Sequence, residues 1–185
     1  MEEEEEMIIP SVTQCINPWV DFSKIPPDRL DYASQRGIEV HRSCLAYAKG
    51  LLPILNSDYQ GYLDSFLRWH GSHFTLIMGE ERLVDEDLGY SGTPDLFGMF
   101  GGHQTALIEL KTPVTAQKSW RLQLAAYSKL IQKKFRDIYP DAPELIGSLQ
   151  LNPDGKVPKM IWYEKGMEDF NLFLSALNLY RFFNS

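Results

Sequence analysis

Two carboxylates and a lysine, Asp95, Glu109 and Lys111, bracket a stretch that reads as one β-hairpin. They stand in Gly92-Thr93-Pro94-Asp95 and Glu109-Leu110-Lys111, and the helix-like run Gln123-Leu124-Ala125-Ala126-Tyr127 follows. Delivered by adjacent strands to one point, two hard oxygen ligands hold magnesium or manganese beside a phosphodiester, where the ion grips a phosphate oxygen and acidifies a bound water. Lys111, a compact cation, then positions that water or offsets charge building on the phosphate. Gln123 and Tyr127 are one helical turn apart and reach the same side of such a site, to hold backbone phosphate or a water network. Residues two apart on a strand share a face, so Glu109 and Lys111 project together while Ile108 and Leu110 turn to the core. For Glu-x-Lys alone a half-exposed edge strand is the ordinary explanation. Asp95, at the start of the partner strand and able to face Glu109 across the ladder, is what adds the chemistry.

The elements that must position these residues follow from periodicity and punctuation. Residues 7 to 27, with Pro10, Pro18, Pro26 and Pro27, read as an extended, irregular lead-in. Helical spacing runs from Asp28 to about Lys49, where Gly50 and Pro53 stop it. Asn56 or Ser57 can cap a second helix reaching about Trp69, with Tyr62, Phe66 and Trp69 on one face. His73 to Met78 and Arg82 to Val84 look like strands, and Gly89 and Gly92 like punctuation. Asp95 to Phe100 and Thr105 to Lys111 form the hairpin around Gly101-Gly102, with Pro94 tolerated at the strand start. Thr115 can cap a helix to about Tyr139. Leu145 to Leu151 and Val157 to Tyr163 pair around Asn152-Pro153-Asp154-Gly155, and a helix from about Met167 to Phe183 closes the chain. The fold class is α/β, a small mixed central sheet flanked by helices. Residues 1–27 form an acidic tail and lead-in, and 28–185 a single domain.

Composition narrows the alternatives. A chain of 185 residues that is 44% hydrophobic can bury one real core. Its apolar stretches are broken well short of a bilayer span, and Glu2 to Glu6 stand where a signal peptide needs basic residues. A soluble, cytoplasmic protein without a membrane partner is expected. Cys15 and Cys44 alone cannot complete a four-Cys cluster, and packing is their simplest role. The net charge of −7 argues at first against nucleic acid. Five of the acids are the Glu2–Glu6 run, whereas Lys111 to Arg136 contains Lys118, Arg121, Lys129, Lys133 and Lys134 and no acid, a basic face beside the carboxylates. His70 and His73 flank an element boundary and read as surface or capping residues rather than a zinc pair. His103 reads as solvent exposed in its turn. The aromatic stripe of the last helix reads as core or an oligomer contact.

Pro94-Asp95 followed by Glu109-x-Lys111 resembles the signature of the PD-(D/E)xK nuclease superfamily, and Gln123-x-x-x-Tyr127 is similar to the extra motif of its RecB-like branch. Arg36-Gly37-Ile38-Glu39-Val40-His41 resembles the helix whose histidine supplies a further metal ligand there, although Ile38 stands where that branch commonly has a small hydroxyl residue. Pro10-Ser11-Val12-Thr13 is similar to the opening of phage-type exonucleases of the group. The resemblance spans roughly residues 8 to 130. It implies a restriction-endonuclease-like core, with Asp95, Glu109 and His41 as ligands of Mg2+ or Mn2+ and Lys111 as the catalytic lysine. Gln123 and Tyr127 would complete the catalytic set, and Lys118, Arg121, Gln123, Tyr127 and Lys129 would contact DNA. The cysteine quartet of the iron–sulfur relatives is missing, so no cluster is expected. The implied function is a DNA exonuclease of recombination, repair or phage DNA processing. Ring-forming relatives leave room for a homo-oligomer. A structure-specific or restriction-like endonuclease is the alternative within the enzymes, and a non-catalytic nucleic-acid-binding module the alternative outside them.

Overall fold

A computed structural model describes residues 9–71, 73–113 and 115–184. The Glu2–Glu6 run lies outside the described residues. Helix α1 spans Val12–Ile16, α2 Pro27–Ala48, α3 Gln60–His70, α4 Ser119–Phe135 and α5 Met167–Asn184. The strands are β1 Phe74–Met78, β2 Leu83–Asp85, β3 Tyr90–Gly92, β4 Leu96–Phe100, β5 Gln104–Lys111, β6 Leu145–Gln150 and β7 Lys159–Tyr163. Five of them form one sheet in the order β1-β4-β5-β6-β7, while β2 and β3 make a separate antiparallel ribbon. Only β5 and β6 run parallel in the large sheet; its other neighbours are antiparallel. A parallel pair needs a long crossover, and α4 supplies it.

β5 is therefore the central strand, covered on both faces, and its alternation feeds two cores. Leu107 joins Phe97, Leu124, Tyr127, Ile131 and Phe173 on the face carrying α4 and α5. Ala106, Ile108 and Leu110 join Val40, Phe66, Trp69 and Leu149 on the face carrying α2 and α3. This is the mixed α/β arrangement expected, a small sheet between layers of helix. It is not the half-exposed edge that Glu-x-Lys alone would mark.

The lead-in departs from expectation. Ser11 caps α1 by accepting the Gln14 N–H at 3.2 Å, and the Gln14 side chain returns the bond to the Ser11 N–H at 2.8 Å. This reciprocal cap stabilises a single turn that periodicity over five residues cannot reveal. Val12, Cys15 and Ile16 are buried in the same core as α4 and α5. Gly92, read as punctuation, instead ends a strand, Tyr90–Gly92, that pairs with Leu83–Asp85. α4 begins at Ser119 rather than at Thr115, with no side-chain cap.

Ile16→Ala is expected to cost about 2–5 kcal/mol in chemical denaturation, the range for a buried branched side chain, where an irregular surface segment would cost less than about 0.5.

Candidate active site

The hairpin register sets the first contact. Leu96 pairs with Ile108, which puts Asp95, one residue earlier, across from Glu109. The Asp95 N–H donates to Glu109 Oε1 at 3.0 Å, and the Leu110 N–H donates to Asp95 Oδ2 at 2.8 Å. Each carboxylate is thus held by the backbone of the opposite strand. Glu109 is only 2% exposed.

α2 brings a third group from far away in sequence. His41 Nδ1 lies 3.2 Å from Asp95 Oδ1, its side chain 23% exposed against 12% for the aspartate. On the other face, Lys111 Nζ donates to Gln123 Oε1 at 2.7 Å and reaches Glu109 Oε2 at 3.4 Å. Gln123 Nε2 donates in turn to the Tyr127 hydroxyl at 3.3 Å. One amide bridges a lysine and a phenol, and this fixes which way it points. The Trp120 ring lies under Lys111, with Nζ 5.6 Å from its centroid. His41, Asp95, Glu109, Lys111, Gln123 and Tyr127 therefore form one connected chain of contacts, with α2 and α4 approaching from opposite faces of the sheet.

The electrostatics follow from burial. Burial and the neighbouring Asp95 charge push the Glu109 carboxyl up to about 8, with Lys111 pulling the other way. Burial also works against ionisation of Asp95, but His41, Lys111 and the Leu110 N–H outweigh it and hold that carboxyl below its ordinary range. Burial opposes protonation of His41, and the Asp95 charge overcomes this, so the imidazole is raised. Burial and the Glu109 charge hold the Tyr127 phenol well above its ordinary range, so it stays neutral.

The donor types of His41, Asp95 and Glu109 suit a hard divalent ion, whose charge would relieve two carboxylates buried together. Among the described residues no three His, Cys, Asp or Glu groups are gathered to close around one ion. The carboxylate oxygens are instead turned to partners within the protein, Asp95 to His41 and Leu110, Glu109 to the Asp95 N–H and Lys111.

The expected basic face is different in three dimensions. Arg121 pairs with buried Asp169 of α5 at 3.0 Å. Lys133 pairs with Asp85 and Asp87 of the β2–β3 ribbon at 2.8 and 2.7 Å, and Lys134 with Glu81. Lys129 donates to Gln132 and lies over the Phe170 ring. Lys118 is exposed at the start of α4. At the helical repeat, Arg121 and Lys129 sit about 160° and 120° round α4 from Gln123, so they do not share its face. His70, read as a surface or capping residue, is half-buried at the end of α3: it packs among Tyr47, Phe66, Trp69 and Phe74, with Nε2 buried and without a hydrogen bond among the described residues. His103 is exposed, as expected.

Two residues of the site carried little sequence signal. Gly92 is more than punctuation, because a Cβ there would lie 2.4 Å from the Tyr127 ring; only glycine lets that ring cover β3. Glu80 adopts φ 50°, and its N–H holds the Pro94 carbonyl at 3.0 Å, which tethers the segment leading into Asp95. No spacing marks it in the sequence.

No family model matches the sequence, and no curated protein does. Among solved structures, a candidate exonuclease from Eubacterium rectale is similar at a TM-score of 0.37 and 12% identity, over 78% of this chain and 63% of that one. LHK-Exo, solved in complex with dAMP, is similar at a TM-score of 0.34 and 16% identity, over 93% and 87% of the two chains. The chain therefore spans less than two thirds of the first of these proteins. Both likenesses are distant, and the chemistry rests on this chain's own residues.

Gly92→Ala should cost about 1–3 kcal/mol by overpacking against Tyr127, measured by denaturant unfolding. A second expectation concerns pH in the presence of EDTA. The raised Glu109 carboxyl favours the fold fully below its unfolded value and less as pH climbs through about 8. Raised His41 acts in the same sense, while depressed Asp95 favours the fold above its unfolded value and loses that contribution in acid. Thermal midpoints should accordingly fall between about pH 5 and 8, and Glu109→Gln should flatten that fall.

Proposed function

We propose that this protein is a magnesium- or manganese-dependent deoxyribonuclease of the PD-(D/E)xK superfamily, hydrolysing phosphodiester bonds from DNA ends. The observation that carries this reading is the convergence of His41 on Asp95 across 54 residues of sequence, in the same network as Glu109 and Lys111. Structural ion pairs are usually placed where they are exposed or few. Here two carboxylates, an imidazole and a lysine are grouped where the sheet meets both helical layers, a costly arrangement without a charged ligand.

Asp95, Glu109 and His41 would hold the ion, which supplies Lewis-acid polarisation of a phosphate oxygen and a more acidic water. Lys111 carries a charge that can meet the oxygen on which negative charge develops. Gln123 keeps the ammonium aimed without cancelling that charge, because its amide is neutral. Tyr127, uncharged and buried, keeps the amide from turning. His41, bonded through Nδ1 to Asp95, leaves Nε2 as its remaining ring donor or acceptor.

One observation favours a second reading. The carboxylates face partners within the protein, as they would in a nucleic-acid-binding module that keeps the fold without an ion. Calorimetric titration with manganese separates the two, since the module binds no ion that depends on Asp95 and Glu109.

With manganese, the purified protein should digest linear DNA and spare covalently closed circles, and EDTA should stop it. Lys111→Ala should lower the cleavage rate by about a hundredfold or more while DNA binding in EDTA is retained. Failure to cut any form of DNA, or normal cutting by the variant, would overturn the assignment. Cutting of closed circles would point to an endonuclease on the same scaffold.

A further inference from the structure

The unexpected helix of the lead-in has a second consequence. Between it and the start of α4 runs an open cleft of about 190 Å3. One wall is Lys111 and Gln123, so the cleft opens directly onto the network described above. The other wall comes from α1 and the 3₁₀ turn Asn17–Trp19 that follows it, through Thr13 and Asn17, with Phe22 beyond. Trp120, already under Lys111, closes the end. Among the described residues, Lys111 is the only charged one in the lining, in a chain whose net charge is −7. Thr13 and Asn17 are exposed.

We propose that this cleft seats the nucleotide adjoining the phosphodiester to be cut, with the α1 segment as a substrate-binding wall. The inference rests on the nuclease reading and adds to it the path of the strand. The chemistry matches one nucleotide's two sides. Phe22, half-buried at the mouth, offers an apolar ring that a base of any identity can cover, and Trp120, buried beneath Lys111, backs the inner end. Thr13 and Asn17 offer uncharged hydrogen-bonding groups of the kind that position a sugar–phosphate backbone without reading sequence. No acid lines the cleft among the described residues, which lets the backbone approach without repulsion, and Lys111 provides attraction at the inner end. Arg121, Lys133 and Lys134 of α4 are paired with carboxylates from α5, the ribbon and its approach, so this cleft, with Lys111 at its inner end, rather than a basic face, becomes the route to the site.

The test places a like charge in the cleft and reads binding without hydrolysis. Wild type, Asn17→Glu, Thr13→Glu and the control Ile138→Glu are compared by fluorescence anisotropy with a labelled single-stranded oligonucleotide in EDTA. Ile138 is 68% exposed and follows the far end of α4. The two cleft variants should each raise Kd by about tenfold, and the control, which adds the same charge elsewhere, should raise it far less. Thr13 and Asn17 are exposed, and unchanged thermal midpoints confirm that each variant folds. If both cleft variants bind as the control does, or if the wild type binds no oligonucleotide, the proposal is overturned. This readout is independent of cleavage. A wild type that cuts DNA while the cleft variants bind normally removes the cleft and leaves the nuclease; one that binds through the cleft but never cuts removes the nuclease reading instead.

Discussion

The constraint on which the structure turns is the burial of Glu109 beside Asp95 on the central strand. A carboxylate covered on both sides of a sheet has lost its water, and a second carboxylate across the ladder raises the cost of charging it. The protein divides the two. Asp95 takes the histidine and a backbone N–H and stays ionised; Glu109 takes a backbone N–H and a shared lysine and holds its proton up to about 8. The pair is stable in two different protonation states because its surroundings differ, although the residue types are nearly the same.

That division requires the layered fold. His41 comes to Asp95 only because α2 lies on one face of the sheet, and Gln123 comes to Lys111 only because α4 lies on the other. The parallel pairing of β5 with β6 makes α4 obligatory, since a parallel neighbour cannot be reached by a tight turn. The chain leaving Lys111 must therefore enter a helix over the face on which Lys111 projects. The sequence order carboxylate, lysine, then glutamine and tyrosine thus follows from connectivity: the crossover helix is the next element available to hold the lysine, and Gly92 on the neighbouring ribbon makes room for its tyrosine.

Legibility in the sequence tracks the range of the interactions. The hairpin, its turn and the alternation of β5 depend on residues a few positions apart, and they read directly. The extents of α2, α5 and the outer strands came from the same periodicity. His41 was available only through resemblance, since no local pattern ties a helix to an aspartate 54 residues later. α1 has no period to read, because it is one turn flanked by prolines; its signal is the reciprocal Ser11–Gln14 cap, legible as Ser-x-x-Gln. The basic run failed for a different reason. Charge counted along the chain ignores acids arriving from elsewhere, and Asp85, Asp87, Glu81 and Asp169 come from the ribbon, its approach and α5. The partial burial of His70 is not legible locally, because its aromatic partners Tyr47 and Phe74 come from α2 and β1.

The neutrality of the groups around Lys111 is the remaining step. A lysine near a phosphate must be fixed in place, and the simplest anchor, a carboxylate, would spend its charge. In this structure the shorter bond, 2.7 Å, runs to an amide, while the acid stands off at 3.4 Å and tends to stay protonated because it is buried. Behind the amide stands a phenol that burial keeps neutral, and beneath the ammonium lies an indole ring whose face attracts a cation without quenching it. Each neighbour orients the lysine and leaves its positive charge largely available. A structural lysine has no need of such company; Lys133, whose role is to tie the ribbon to α4, sits directly between two carboxylates. The contrast between these two lysines on one protein is physical support for the role proposed for Lys111: one charge is spent on cohesion, and the other is left open.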